Sequence, residues 1–309
     1  MVVLFFSEID DPAPWRAALA RALPDIDFRV WPEVGRPEEI DYALVWKPTS
    51  GMLASLPRLK AILSLGAGVD HLFEDTQLPA GMPITRMVDA GLAVQMAEYA
   101  MYGVLHFHRA MDRYAAMQRE RVWRQLPAVP PSQRTVGVMG LGVLGGDFAC
   151  KAQVMGFRVI GWSRRARGLE GVVEYHGMEG LAPFLAATQI LVNFLPLTQD
   201  THGILDRKLF AQLPRGAFLV NLARGGHLVE NDLIEALDSG QLGGALLDVF
   251  VREPLPAEHA FWTHPKIVVT PHIAGQAIAD LMVEQVVDNI RRLERGETPS
   301  GLVDRRRGY

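Results

Sequence analysis

Gly140-Leu141-Gly142-Val143-Leu144-Gly145 is a run whose spacing suits one chemical task, the cradling of a pyrophosphate. It follows the apolar stretch TVGVM and opens a stretch of helical periodicity. In that setting Gly140 permits a tight turn, Gly142 lets the backbone approach the phosphates, and Gly145 lets helix and strand pack closely. Val143 and Leu144, in the first helical turn, offer main-chain N–H groups and the positive end of the helix dipole to an anion. An acidic residue normally follows about 20 positions later, at the end of the next strand, to bind a ribose 2′-hydroxyl. Here the stretch VIGWSRRARG puts Ser163, Arg164 and Arg165 at that point. A carboxylate there repels a 2′-phosphate, whereas guanidinium groups bind phosphate bidentately and Ser163 adds a hydroxyl. The expected cofactor is therefore NADPH in preference to NADH.

Such residues need a frame. Short β-branched runs recur at 135–140, 157–162, 189–194, 217–222, 244–249 and 266–271, with helix-period segments such as FLAATQ and LIEALDSG between them. Continuous apolar strands alternating with helices predict a parallel sheet covered on both faces, here the doubly wound Rossmann fold. The N-terminal part repeats a weaker version at 2–6, 28–31, 42–46 and 61–65, which predicts a smaller flavodoxin-like α/β domain. The boundaries read as 1–97, completed by a C-terminal helical segment over 276–309, and 98–275 for the dinucleotide-binding domain. Residues 91–123 carry helical periodicity with Tyr99, Tyr102, Leu105, Phe107 and Met111, more apolar surface than one helix buries in its own domain. A homodimer through this region is expected, closed two-fold pairs being the commonest solution.

Composition narrows the field. The chain has 309 residues, 49% hydrophobic and 21% charged, with a net charge of −4, as in a soluble globular protein. That balance gives no electrostatic case for nucleic acid or an anionic membrane. Cys150 is the only cysteine, so neither an internal disulfide nor a cysteine-based zinc cluster is available. No HExxH motif or comparable metal-ligand set occurs, and no metal is expected. The opening MVVLFFSEIDDP reads as a first strand and not as a signal peptide, and no run approaches the ~18 apolar residues of a membrane span. A cytoplasmic location is the default expectation.

Past the glycine motif, NLARGGHLVENDLIEAL (221–237), LLDVFVREPLP (246–256) and TPHIAG (270–275) resemble the signatures of the D-isomer-specific 2-hydroxyacid dehydrogenases. YALVWKP (42–48), the WSR of 162–164 and VDRRRGY (303–309) resemble the glyoxylate/hydroxypyruvate reductase A branch of that family. The resemblance runs over nearly the whole chain. It implies reduction of a small 2-oxo acid, glyoxylate to glycolate or hydroxypyruvate to D-glycerate. One departure concerns the substrate. After TPHIA the branch often carries a Thr-Arg-Pro-like stretch, where this chain has Gly275-Gln276-Ala277-Ile278 and no arginine.

Reducing a 2-oxo acid takes a cation for the carboxylate, an acid for the developing alkoxide and a hydride donor. Arg224 follows the strand AFLVNL, at the carboxyl edge where ligands bind in such sheets, and its fork suits an oxo acid. His272 follows IVVT at another carboxyl end and is the natural proton donor, its ordinary pKa being near neutrality. By the resemblance Glu253 orients that imidazole and favours its charged form. Asp248 by the same token binds the nicotinamide carboxamide, against the plainer reading of a strand-end cap. Leu195, Pro196, Thr198 and Ala223 are expected to line the cofactor, chiefly through backbone and packing. In the smaller domain, the turn at Gly66, Ala67 and Gly68 is either an ordinary tight turn or, as the resemblance implies, a set of backbone N–H groups for the substrate carboxylate, and Trp46 is either a core residue or a roof over that substrate. A dehydrogenase for another 2-oxo acid is one alternative. A non-catalytic relative that senses nicotinamide cofactors is the other, and retention of Arg224, Glu253 and His272 together counts against it. A phosphoglycerate dehydrogenase would often carry a further regulatory domain.

Overall fold

A computed structural model of the chain describes residues 1–308, so Tyr309, the last residue of VDRRRGY, lies outside the described residues. The chain divides into two compact units, Met1–Leu92 with the segment from Gln276 onward, and Ala93–Gly275.

In the first unit the strands are β1 (Val2–Ser7), β2 (Asp27–Val30), β3 (Tyr42–Trp46), β4 (Ala61–Ser64) and β5 (Ile84–Thr85). All neighbours pair parallel, in the order β2-β1-β3-β4-β5, the flavodoxin-like arrangement. The two-residue β5 is too short to leave a periodic signal. The helix Ala279–Glu294 belongs to this unit and is tied to its sheet through Glu294, whose Oε1 accepts from Tyr42 Oη at 2.6 Å and Lys60 Nζ at 2.7 Å. The lysine, and after it the phenol, hold that carboxyl below the usual range.

The second unit carries β6 (Thr135–Met139), β7 (Arg158–Ser163), β8 (Val173–His176), β9 (Ile190–Asn193), β10 (Ala217–Asn221), β11 (Leu242–Leu247) and β12 (Ile267–Val269). The order β12-β11-β10-β9-β6-β7-β8, parallel throughout, is the doubly wound Rossmann arrangement with its reversal between β6 and β9. Seven strands stand where six were expected. The additional one, β8, is a partly exposed edge strand, and its sequence VEYH lacks the apolar continuity of strands covered on both faces. Successive residues feed opposite cores: Leu191 and Leu219 pack on one face of the sheet, Val192 and Val220 on the other.

The 91–123 segment forms two helices, Leu92–His108 and Met111–Glu120, parted at Ala110 in the left-handed region (φ 54°). Phe107, expected on the apolar outer surface, is buried and stacks on Phe218 with ring centroids 4.5 Å apart. The helix turns a core face as well as an outer face, and periodicity alone does not say which holds a given aromatic. Tyr102 and Met111 remain exposed, and beyond the second helix Trp123 is 99% exposed. No helix of the described residues is long and apolar enough to cross a membrane.

Candidate active site

Parallel pairing brings the carboxyl ends of the second unit's strands to one edge, with Met139, Asn193 and Asn221 abreast and Asn221 beside Leu247. Nearly every residue singled out in this unit lies on the turns that leave that edge.

The glycine turn follows β6. Gly140 has φ 98°, a conformation open mainly to glycine, and a Cβ there would meet the carbonyl carbon of Phe194 at 2.9 Å. A Cβ on Gly145 would stand 2.0 Å from the Gly140 carbonyl oxygen, so helix and turn close only over glycine. Gly142 is different, with no atom within 4 Å of where its Cβ would be. It begins the helix Val143–Val154 without any side-chain cap. An open space in front of uncapped helical N–H groups fits the pyrophosphate of a dinucleotide. Val143 is exposed and Leu144 half-buried at the same end. Cys150 lies exposed farther along this helix.

Ser163 ends β7, and its hydroxyl donates to the Arg165 carbonyl at 2.7 Å, fixing the turn from which Arg164 and Arg165 project as exposed side chains. In this arrangement Ser163 is committed as a donor to the turn and offers a ligand its lone pairs. The nearby acid Glu174, on β8, accepts from the main-chain N–H groups of Arg167 and Leu169, each at 2.6 Å. Its charge is thus directed to the loop's own backbone.

His272 stands just past β12 with φ 55°, and left-handed non-glycine residues of this kind concentrate at functional sites. Its Nδ1 lies 2.8 Å from Glu253 Oε2, while Glu253 Oε1 accepts from Phe250 N at 3.1 Å. With Nδ1 held by Glu253, proton transfer at this ring falls to Nε2. The His272 turn is held by Asp248, which is fully buried. Its Oδ1 accepts from Thr270 Oγ1 (2.7 Å) and Ile273 N (2.9 Å), its Oδ2 from Ala274 N (2.8 Å), and its carbonyl from His272 N (2.8 Å). Tyr99 adds a hydrogen bond to Thr270. In this structure Asp248 serves as the strand-end cap, with about one of the four acceptor sites of its carboxylate left over.

Arg224 lies on the turn after β10, half-buried, with Nη1 donating to the Ala223 carbonyl at 2.7 Å. Gly225 follows because the main chain of the Glu253 loop passes there: a Cβ would meet the Phe250 carbonyl carbon at 1.9 Å. The turns bearing Arg224 and the His272–Glu253 pair are therefore in direct backbone contact. The loop after β9 carries Leu195, Pro196 and Thr198, the last with its N–H on Thr201 Oγ1 at 2.9 Å. Three polar residues that sequence reasoning passed over, Asn193, Asn221 and His227, lie fully buried among these turns. The paired endings of QILVN and FLVN are the only sequence signal for the two asparagines. Among the described residues no group of three His, Cys, Asp or Glu side chains is placed to hold a metal ion.

Trp46 and the Gly66–Gly68 turn belong to the other unit. Trp46, at the end of β3, lies against the Gly66 backbone so closely that a Cβ there would meet its Cζ3 at 2.3 Å. The His71 ring is 4.6 Å from it. Gly66 keeps ordinary φ, so space and not backbone conformation requires the glycine.

Residues 101–274 match the family model for the D-isomer specific 2-hydroxyacid dehydrogenase, NAD binding domain. Over 314 aligned residues the chain is 45% identical to the glyoxylate/hydroxypyruvate reductase A of Serratia proteamaculans (strain 568), covering 100% of both chains. It is also similar to a D-isomer specific 2-hydroxyacid dehydrogenase from Xanthobacter autotrophicus Py2 crystallised with NADPH and MES. That match has 42% identity and a TM-score of 0.95, over 100% of this chain and 99% of that one. An NADPH-dependent glyoxylate/hydroxypyruvate reductase from Sinorhizobium meliloti, in complex with NADP and sulfate, gives 41% and 0.94 over the same shares. With a family model spanning more than half of it and a full-length relative at this identity, the chain belongs to the D-isomer specific 2-hydroxyacid dehydrogenase family.

Proposed function

We propose that this protein is an NADPH-dependent reductase of small 2-oxo acids, taking glyoxylate to glycolate and hydroxypyruvate to D-glycerate. The observation that carries the reading is the His272–Glu253 pair at 2.8 Å on a turn that abuts the Arg224 turn, in the unit that holds the glycine cradle. The activities and bound nucleotides of the relatives point the same way. NADPH, when bound, supplies a hydride to the ketone carbon. Arg224 holds the carboxylate and draws electron density toward the ketone oxygen. His272 gives that oxygen a proton from Nε2, and Glu253 receives Nδ1–H and stabilises the imidazolium before transfer. Gly142, Val143, Leu144 and Gly145 take the pyrophosphate, while Leu195, Pro196, Thr198 and Ala223 line the nucleotide. The resemblance assigns Asp248 to the nicotinamide carboxamide, while in this structure it is fully buried as the strand-end cap. Gly66, Ala67, Gly68 and Trp46 are assigned to the substrate, in a domain formed by 1–97 and 276–309. Purified protein given NADPH and either oxo acid should consume reduced nicotinamide absorbance, and failure with both acids overturns the reading. The sequence Gly275–Ile278, without the branch's arginine, favours testing other 2-oxo acids in the same assay. A reductase drawing on NADPH has its place in the cytoplasm, where that nucleotide is pooled.

Cofactor choice is assigned to Arg164 and Arg165. Each charge-assisted phosphate bond contributes about 1.5–3 kcal/mol, toward the lower end for exposed side chains. Arg164→Ala with Arg165→Ala should raise KM for NADPH about tenfold or more and leave KM for NADH within twofold. Equal behaviour of both cofactors in parent and variant would make these arginines ordinary surface charges.

A homodimer through the outer face of 91–123 belongs to the same proposal, supported by exposed Tyr102, Met111, Val122 and Trp123. Light scattering at micromolar concentration should return about twice the 34.2 kDa chain mass. A mass near the single chain would exclude the dimer.

A further inference from the structure

The turns after β9 and β10 are joined by a circuit of buried polar contacts. Asn193 Oδ1 accepts from Leu195 N at 3.1 Å, and its Nδ2 donates to Asn221 Oδ1 at 3.1 Å. Asn221 Oδ1 also faces Ala223 N at 3.4 Å, and its Nδ2 donates to the Arg224 carbonyl at 3.1 Å. His227 spans the two turns, with Nδ1 3.1 Å from that same carbonyl and Nε2 3.2 Å from the Pro196 carbonyl, and a neutral ring donates to one of the two while an imidazolium donates to both. All three side chains are fully buried. Two further main-chain bonds, Gly203 N to Gly226 O at 2.9 Å and Leu205 N to His227 O at 2.8 Å, lay the far end of the loop along the same segment.

Neither half of this circuit moves alone without stranding a buried polar group, and each such group costs about 1–3 kcal/mol when left unpaired. One half carries the loop assigned to the nucleotide and the other carries Arg224. We infer that His227 is a positioning residue through which dinucleotide and oxo-acid binding are energetically coupled. Ordering the Leu195–Thr198 loop by the nucleotide fixes the Arg224 turn in advance, so the acid then binds to a turn already set. This rests on the proposed reductase function, which assigns those two ligands to these turns.

The test uses oxalate, an unreactive dianion shaped like a small oxo acid, and the dissociation constant of NADPH followed by its fluorescence. In the parent protein, saturating oxalate should tighten NADPH by a factor within about 5–150, and NADPH should tighten oxalate by the same factor. His227→Gln, whose single amide reaches one carbonyl, should bring that factor to within twofold of unity and lower kcat for glyoxylate. Should that variant fail to fold by circular dichroism, Asn193→Ala opens the circuit at its opposite side and is read in the same way. A folded variant that keeps the parent's factor would make the circuit merely structural and overturn the inference. So would a parent that reduces glyoxylate while showing no coupling, although the reductase reading would then stand. A parent that neither reduces the oxo acids nor binds oxalate overturns that reading, and the inference falls with it.

Discussion

His272→Asn should lower kcat for glyoxylate reduction by about 10²–10⁴-fold, the usual contribution of a positioned general acid. NADPH affinity, read by fluorescence, should stay within a fewfold of the parent. Asparagine suits this test because the backbone at this position is left-handed, at φ 55°, and asparagine adopts that conformation more readily than other polar residues. The main-chain bond from residue 272 to the Asp248 carbonyl, and the carboxylate cap on Ile273 and Ala274, do not involve the ring and survive the change. What is lost is the proton on Nε2 and the bond from Nδ1 to Glu253. Glu253→Gln should fall short of this loss, since it leaves the imidazole in place and removes only the charge that stabilises its protonated form. Near-normal turnover by His272→Asn would remove His272 from the mechanism.

Arg224→Ala should damage both KM and kcat, because the guanidinium is assigned to the substrate carboxylate before reaction and to the ketone oxygen during it. Two charge-assisted bonds of about 1.5–3 kcal/mol each correspond to a loss of about 10²–10⁴ in kcat/KM. Arg224→Lys is the sharper probe. In the parent, Nη1 donates to the Ala223 carbonyl at 2.7 Å, so one arm of the fork anchors the group on its own turn. A lysine ammonium keeps the charge but has no fork with which to keep that anchor and hold the substrate, and most of the loss should persist. Steady-state kinetics that showed a raised KM with kcat unchanged would restrict Arg224 to ground-state binding. Loss of the dinucleotide affinity alone would place it in the wrong site.

Much of this was legible because parallel strands buried on both faces write themselves as continuous apolar runs. The stretches TVGVM, QILVN and AFLVN could scarcely be anything else, and the residues just beyond them fall on the edge where chemistry collects. Edge strands escape this logic, and VEYH over 173–176 carries no apolar run to mark it. The break at Ala110 has neither glycine nor proline to announce it. Phe107 shows a different limit: an aromatic at helical spacing declares that a face is apolar but not which partner covers it. Asn221 and His227 mark the deepest one. Each acts through a neighbour that is distant in sequence and adjacent only once the strand order is known, so no local pattern carries its role.

Cys150 has a practical consequence. It is the only thiol in the chain, it is exposed, and it lies on the helix that begins at the glycine cradle. At 1.5 Å per residue it stands about 10 Å behind Val143, close enough for an attached fluorophore to sense a nucleotide arriving at the helix mouth. Labelling would be stoichiometric and single-site without a cysteine being removed or introduced. Stopped-flow emission from that probe would then time nucleotide arrival on otherwise unaltered protein, independently of the absorbance change that times turnover.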